Sequence, residues 1–218
     1  VRNSLLGIYE TDIDLASKLT NDEIKELLFG TKYEVKENSK KLGTLTISLG
    51  EEKWQHSTFR KEIYAEGGAH FPISVEFVNT VEEDAKRRDF TANCVYYNIL
   101  KDEYVDPFNG MQDIQKHLLR AIQAPDSVLQ SDGQRILRMV RLASELGFRI
   151  AGETILSAYD NRENLADITG ARKNEELVAI LNSSRRYKIS KSNAYMFGLQ
   201  MFNLLRLWPY FNAPVLKV

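Results

Sequence analysis

Apolar and polar positions alternate along much of residues 11–78, and a period of three to four residues takes over beyond Thr80. Strand side chains point to opposite faces in turn, whereas a helix returns to the same face every three or four residues. The first pattern predicts strands at Thr11–Ser17, Tyr33–Lys36, Gly43–Leu49, Lys53–Phe59 and Ile73–Val78. Among them lies one helix, capped by Thr20 or Asn21 and running through Ile24, Leu27 and Leu28 to Gly30. Asp22 and Glu23 sit in its first turn, where the helix dipole favours negative charge. Residues 1–7 read as the end of a helix, and Gly67–Pro72 as a loop.

Beyond this region the predicted elements are mostly helical. Thr80 caps a helix through Asp84, Arg87 and Arg88, and Asp106-Pro107-Phe108-Asn109-Gly110 turns into another carrying Ile114 and Leu118. The clearest is Asp132–Leu146, where Ile136, Leu137, Met139, Val140, Ala143 and Leu146 make an apolar stripe that Gly147 ends. Two more are expected near Glu153–Tyr159 and Ala171–Leu181. A last apolar segment runs from Asn193 to about Pro209. The expected fold class is α+β: a small mixed-sheet head over residues 1–115, an all-helical stretch over 116–182, and the start of a helical body over 183–218.

Composition narrows the chemistry. At 218 residues and 43% hydrophobic, the chain can bury a real core in one domain or two. Cys94 is the only cysteine, which excludes a disulfide framework and a thiolate zinc site; His56, His70 and His117 are too scattered for a histidine cage. No apolar run approaches the roughly 18 residues of a membrane span, and no signal peptide opens the chain, so a cytoplasmic protein without membrane contact is expected. Val1 is not an initiator, and the sequence reads as a fragment. The pattern says nothing of oligomeric state.

The net charge of −1 conceals a gradient. Residues 1–115 carry 14 Lys/Arg against 21 Asp/Glu, whereas 182–218 carry six basic residues and no acid. An acidic front with a basic rear suits a cation site joined to a nucleic-acid surface, although a basic helix face that binds nothing has the same composition.

Three constellations bear on function. Asp12 and Asp14 lie two apart, so a strand would aim both carboxylates the same way. They would raise each other's pKa unless a cation sat between them, and a divalent ion with oxygen ligands is the natural one. A wet strand edge explains the same two acids. Arg87 and Arg88 suit phosphate oxygens, or form a solvated basic turn. Asp132 and Arg135, three apart, would be neighbours on one helix face, and on their own they read as an ordinary ion pair.

Four separated stretches resemble, in order, the motifs of the class II tRNA nucleotidyltransferases, a family of CCA-adding enzymes and bacterial poly(A) polymerases. Val1-Arg2-Asn3-Ser4-Leu5-Leu6-Gly7 with Thr11-Asp12-Ile13-Asp14 is similar to "GG-x-VRD-x-LLG…DxD", its two glycines falling before Val1. Leu42–Ile47 followed by Ser57-Thr58-Phe59-Arg60 resembles "HGT…TTFR". Residues 83–93, with Arg87-Arg88-Asp89-Phe90-Thr91-Ala92-Asn93 at their core, resemble "eDLxRRDFTINA". Ser131-Asp132-Gly133-Gln134-Arg135-Ile136-Leu137-Arg138 is similar to "EDxxRxLR", and a weaker fifth stretch, Ala171-Arg172 with Glu175-Glu176-Leu177, to "ERxxxEL".

The resemblance implies a nucleotidyltransferase head, a neck and an RNA-binding body. It implies that Asp12 and Asp14 hold two Mg²⁺ ions as the catalytic metal site. Arg2, Arg87, Arg88, Asp89, Asn93, Asp132, Arg135 and Arg138 would bind the nucleotide, Asp89 and Asn93 through the ribose and Asp132 with Arg135 through the base edge. Arg172 would support that site. The implied substrates are CTP and ATP, and the partner is the 3′ end of a tRNA. A poly(A) polymerase, an A-adding or C-adding relative, and an RNA-binding module without catalysis remain as alternatives. The chain departs from the motifs at Asn3 (usually aspartate), Gln55 (a third carboxylate), Phe71 (arginine), Ser131 (glutamate) and Val128 (arginine).

Overall fold

The computed structural model describes residues 1–9, 12–64 and 72–211, and they fall into two compact units. The larger comprises residues 1–8, 64–71 and 88–218; the smaller comprises 9–63 and 72–87. The chain opens in the larger unit with α1 (Arg2–Leu5).

The smaller unit contains β1 (Asp14–Ser17), α2 (Asn21–Leu28), β2 (Glu34–Ser39), β3 (Thr44–Leu49), β4 (Glu52–Thr58), β5 (Arg60–Ile63), β6 (Ser74–Phe77) and α3 (Val81–Ala85). Four strands form a sheet in the order β1-β4-β3-β2. The pair β1–β4 is parallel, and the other two are antiparallel, which makes the small mixed sheet that the pattern predicts. Alternation divides its faces. Leu45 and Ile47 are buried against Ile24 of α2, with Leu15, Leu28, Val35 and Trp54 packed around them. The other face carries Asp14 and Gln55, both exposed. Thr20 closes α2 with a reciprocal cap: its hydroxyl accepts from the Glu23 N–H while the Glu23 carboxylate accepts from the Thr20 N–H at 2.7 Å. Gly43 has φ +60, and a Cβ there would lie 2.7 Å from the Phe77 ring, so only glycine fits this bend beside Thr58.

The larger unit continues with β7 (Tyr96–Asn98), β8 (Glu103–Val105), α4 (Gly110–Gln115), β9 (Leu118–Leu119), α5 (Pro125–Ser131), α6 (Gln134–Leu146), β10 (Arg149–Ile150), α7 (Gly152–Asp160), α8 (Gly170–Leu181) and α9 (Ala194–Leu204). Its core gathers around α6, where Ile136, Leu137, Met139 and Val140 are fully buried. α8 and α9 pack on α6. They also meet each other closely, since a Cβ at Gly198 would come within 2.3 Å of the Ile180 side chain.

Several local expectations change. The described part of the first strand begins at Asp14, and Asp12, expected on that strand, lies before it in a segment without regular structure; Thr11 lies outside the described residues, as does most of the Gly67–Pro72 loop. α3 stops at Ala85, so Arg87 and Arg88 occupy the turn that follows. Leu118 belongs to β9, paired in parallel with β10, so the stretch 116–182 is mostly but not wholly helical. The hairpin β7–β8 and the helix α5 come without a prior expectation. Among the described residues, no helix is long and apolar enough to cross a membrane.

Candidate functional site

In the smaller unit, the edge strand β1 presents its first residue, Asp14, directly opposite Gln55 of β4. In a parallel pair, residues in register share a face, so the carboxylate and the amide project from the exposed side together. Asp12, two residues earlier, is also exposed. The available donors are two carboxylates and one amide carbonyl. This oxygen-only set suits a hard divalent cation such as Mg²⁺, with one negative charge fewer than three acids would give.

Arg87 has a different setting in the same unit. Its Nε donates to Asp84 Oδ1 at 2.8 Å, and its Nη1 lies 3.4 Å from Glu62 Oε1. Glu62 also accepts from Arg60 Nε at 2.7 Å, and Asp84 Oδ1 accepts from the Arg60 backbone N–H at 3.1 Å. Two guanidinium groups and two carboxylates thus compensate one another with little exposure to water. Desolvation alone would make each of these charges costly, and the mutual pairing offsets it.

The larger unit assembles a second cluster from distant parts of the chain. Arg2 of α1 donates through Nε and Nη2 to Asn3 Oδ1 at 3.0 and 2.7 Å, and through Nη1 to Asn93 Oδ1. Asn93 Nδ2 donates to Asp89 Oδ1 at 2.9 Å. Asp89 Oδ2 accepts from Nε and Nη2 of Arg138 on α6, at 3.0 and 2.9 Å. Burial pushes the Asp89 carboxyl up, but the Arg138 charge and the Asn93 hydrogen bond outweigh it and hold the group at about 2. Burial lowers the Arg2 guanidinium, countered by nearby negative groups that include Asp89 and Glu145. The neutral Asn3 amide accepts two of its hydrogen bonds without supplying a countercharge. Arg88 stacks over the Tyr96 ring at 4.9 Å.

Asp132 does not sit inside a helix. It lies in extended backbone between α5 and α6, and its Oδ1 accepts from the Gln134 N–H at 2.9 Å, capping the start of α6. Arg135, in the first turn of α6, donates through Nη1 to Val128 O and Ser131 Oγ, both at 3.2 Å, and lies 5.7 Å from the Tyr64 ring centre. Both residues are buried. Gly133 between them abuts the Asn164 carbonyl, which a Cβ would approach to 2.5 Å. Arg172 is half-buried in the first turn of α8. That helix is tied to α6 through Glu176, which accepts from Arg141 Nε at 2.7 Å and from Gln134 Nε2 at 3.3 Å.

The expected residues Arg2, Asp89, Asn93 and Arg138 therefore form one hydrogen-bonded chain, Asp132 and Arg135 share the start of α6, and Arg87 enters a buried ion network. Tyr96 and the Arg141–Glu176 tie are additions that the sequence pattern leaves unmarked. An aromatic eight residues beyond Arg88 gives no sign that it lies under the guanidinium. Phe71 is outside the described residues.

Residues 1–120 match the poly A polymerase head domain family. The CCA-adding enzyme of Lactobacillus helveticus (strain DPC 4571) is 35% identical over 178 residues, which make up 82% of this chain and 43% of that protein. The CCA-adding enzyme of Staphylococcus aureus (strain MRSA252) is 31% identical over 213 residues, 97% of this chain and 50% of that one. The crystal structure of the Bacillus stearothermophilus CCA-adding enzyme in complex with CTP superposes with a TM-score of 0.80 at 26% identity, covering 99% of this chain and 49% of that chain. The chain spans about half the length of the curated relatives it matches.

Proposed function

The chain belongs to the poly A polymerase head domain family, and on that premise we propose that it is the nucleotide-transferring part of an enzyme that adds C and A to the 3′ end of tRNA. The observation that carries this reading is the exposed Asp14, in register with Gln55 and preceded by Asp12, on the open face of a small mixed sheet. These three residues would hold Mg²⁺. When bound, two such ions supply Lewis-acid activation of a 3′-hydroxyl and charge neutralisation on a triphosphate.

The remaining residues bind and orient. Arg88 offers its guanidinium to phosphate oxygens, and Arg87, engaged with Asp84 and Glu62, anchors the turn that carries it. Asp89 and Asn93 form the ribose site. Asp132 and Arg135 read the edge of the incoming base as acceptor and donor. A mismatched base would leave one of them unpaired at a cost of about 1–3 kcal/mol. Arg172 supports that region from α8. We assign residues 1–115 to the head, 116–182 to the neck and 183–218 to the start of an RNA-binding body, in a cytoplasmic protein.

Gln55 in place of a carboxylate favours a second reading, an RNA-binding module without catalysis. One experiment separates the readings. The full-length protein is incubated with tRNA lacking its 3′ end, Mg²⁺ and each labelled nucleotide in turn. Incorporation of C and then A is the expected result. Long tails of A alone would make it a poly(A) polymerase, and a single added C or A would make it a narrower relative. Binding without incorporation would overturn the proposal.

A further inference from the structure

The open face of the sheet extends well beyond Gln55. Register carries one row across all four strands: Asp14 opposite Gln55, Gln55 opposite Thr46, and Thr46 opposite Lys36. Residues in register share a face, and the neighbours of this row, Leu15, Trp54, Leu45, Ile47 and Val35, pack on the other side with α2. Adjacent strands lie about 4.8 Å apart, so Lys36 stands about 14 Å from Asp14, at the far edge of the sheet. Its charge is uncommitted. Lys25 and Lys40 pair with Glu37 and Asp22, whereas Lys36 is exposed and has no ion pair among the described residues.

Between the two ends of the row runs β3, whose open face carries only hydroxyls: Thr44, Thr46 and Ser48. Asn38 of β2 joins them, its Nδ2 donating to Thr46 Oγ1 at 2.9 Å and its Oδ1 accepting from that hydroxyl at 3.3 Å. Lysine, serine, threonine and asparagine are the side chains that hold phosphate and sugar oxygens in nucleic-acid complexes. Glu34, an acid on the same face, stands in line with Ser48 and Lys53, whose charge offsets it. Resting on the proposed ion site, we propose that this hydroxyl-lined lane holds the backbone of the RNA strand being extended, with Lys36 on one of its phosphates. Phosphates follow one another about every 3.4 Å along a duplex strand and further apart in an extended one. The 14 Å span therefore sets Lys36 about two to four linkages behind the reacting 3′-hydroxyl. The lane offers no aromatic ring to a base, so the grip is independent of sequence.

The test measures binding of tRNA lacking its 3′ end to the full-length protein and its Lys36 variants, by fluorescence anisotropy over a range of salt concentrations. Lys36→Ala is expected to weaken binding about three- to tenfold at low salt. It should also flatten the plot of log affinity against log salt by about 0.7, the counterion share of one phosphate on a single strand. Lys36→Arg keeps the charge and should restore most of both. RNAs with one uncharged methylphosphonate linkage, placed at each of the final linkages in turn, locate the contact. At one linkage about two to four from the end, the neutral group should weaken binding to the unaltered protein but not to Lys36→Ala. Equal losses in both proteins at every linkage would overturn the proposal. Weaker CTP binding by Lys36→Ala with RNA binding unaltered would give the lysine to the triphosphate, and the lane would fall while the ion site stood. Nucleotide incorporation by the unaltered protein, followed alongside, separates these outcomes from failure of the proposed function: without incorporation the function and the lane are both lost.

Discussion

Asp14 and Gln55 stand opposite each other across the parallel β1–β4 pair, a carboxylate and an amide in register on the exposed face. Replacing that amide with a carboxylate would add one negative charge beside the proposed divalent ion. At about 4 Å in water, a unit charge and a divalent ion attract by roughly 2 kcal/mol. Gln55→Glu is therefore expected to lower the Mg²⁺ concentration for half-maximal nucleotide incorporation by about tenfold or more. Superimposable Mg²⁺ titrations of the two proteins would show that Gln55 is not part of the ion site.

Asp12 and Asp14 are exposed and support no packing, so their loss should separate activity from stability. Either residue changed to alanine is expected to lower incorporation by about 10³-fold, the equivalent of several kcal/mol of metal-derived stabilisation. The unfolding midpoint should move by no more than about 0.5 kcal/mol. Kinetics and urea denaturation on the same preparations check both halves, and undiminished incorporation by Asp14→Ala would defeat the proposed mechanism.

The Asp89 carboxyl predicts an acid limit to stability. Its folded pKa of about 2 lies below the ordinary aspartate value, so the ionised form stabilises the folded state. That contribution is fully present above about pH 4 and is lost as the pH falls towards 2, roughly 2 kcal/mol in all. Urea midpoints measured between pH 5 and 2.5 should show this slope, and it should flatten in Asp89→Asn.

Arg87 and Arg88 are adjacent in sequence and should fail differently. Arg87→Ala leaves Asp84 and Glu62 buried with less compensation, and is expected to destabilise the protein by about 3–5 kcal/mol. Arg87→Lys should recover only part of this, because one ammonium cannot serve two carboxylates in a plane. Chemical denaturation distinguishes this from a phosphate-binding role, in which nucleotide affinity would fall while the midpoint stayed in place.

Much of this architecture is legible in the hydrophobic pattern. The alternation of Leu45 and Ile47 against Thr46 marks β3, the Thr20–Glu23 spacing marks the start of α2, and the stripe from Ile136 to Leu146 marks α6. What escapes is short or tertiary. The strands of β7 and β8 have three residues each, too few for alternation to register, and β9 and β10 have two. The helix signal after Thr80 continues through Arg88 in sequence, yet α3 stops at Ala85 and Arg87 turns to Asp84 and Glu62. Spacing puts Asp132 on a helix with Arg135, whereas its carboxylate caps the helix from outside. The chain from Arg2 through Asn93 and Asp89 to Arg138 spans 136 positions, and no local pattern announces it.

Gly133 leaves no clearance between the start of α6 and the carbonyl of Asn164. The turn at 162–167 therefore serves as an anvil for the start of the helix, the end proposed to read the base. A change in the length of that turn would be transmitted as a displacement of Asp132 and Arg135, and on the proposed reading would corrupt which letter is accepted before it loosened the protein as a whole.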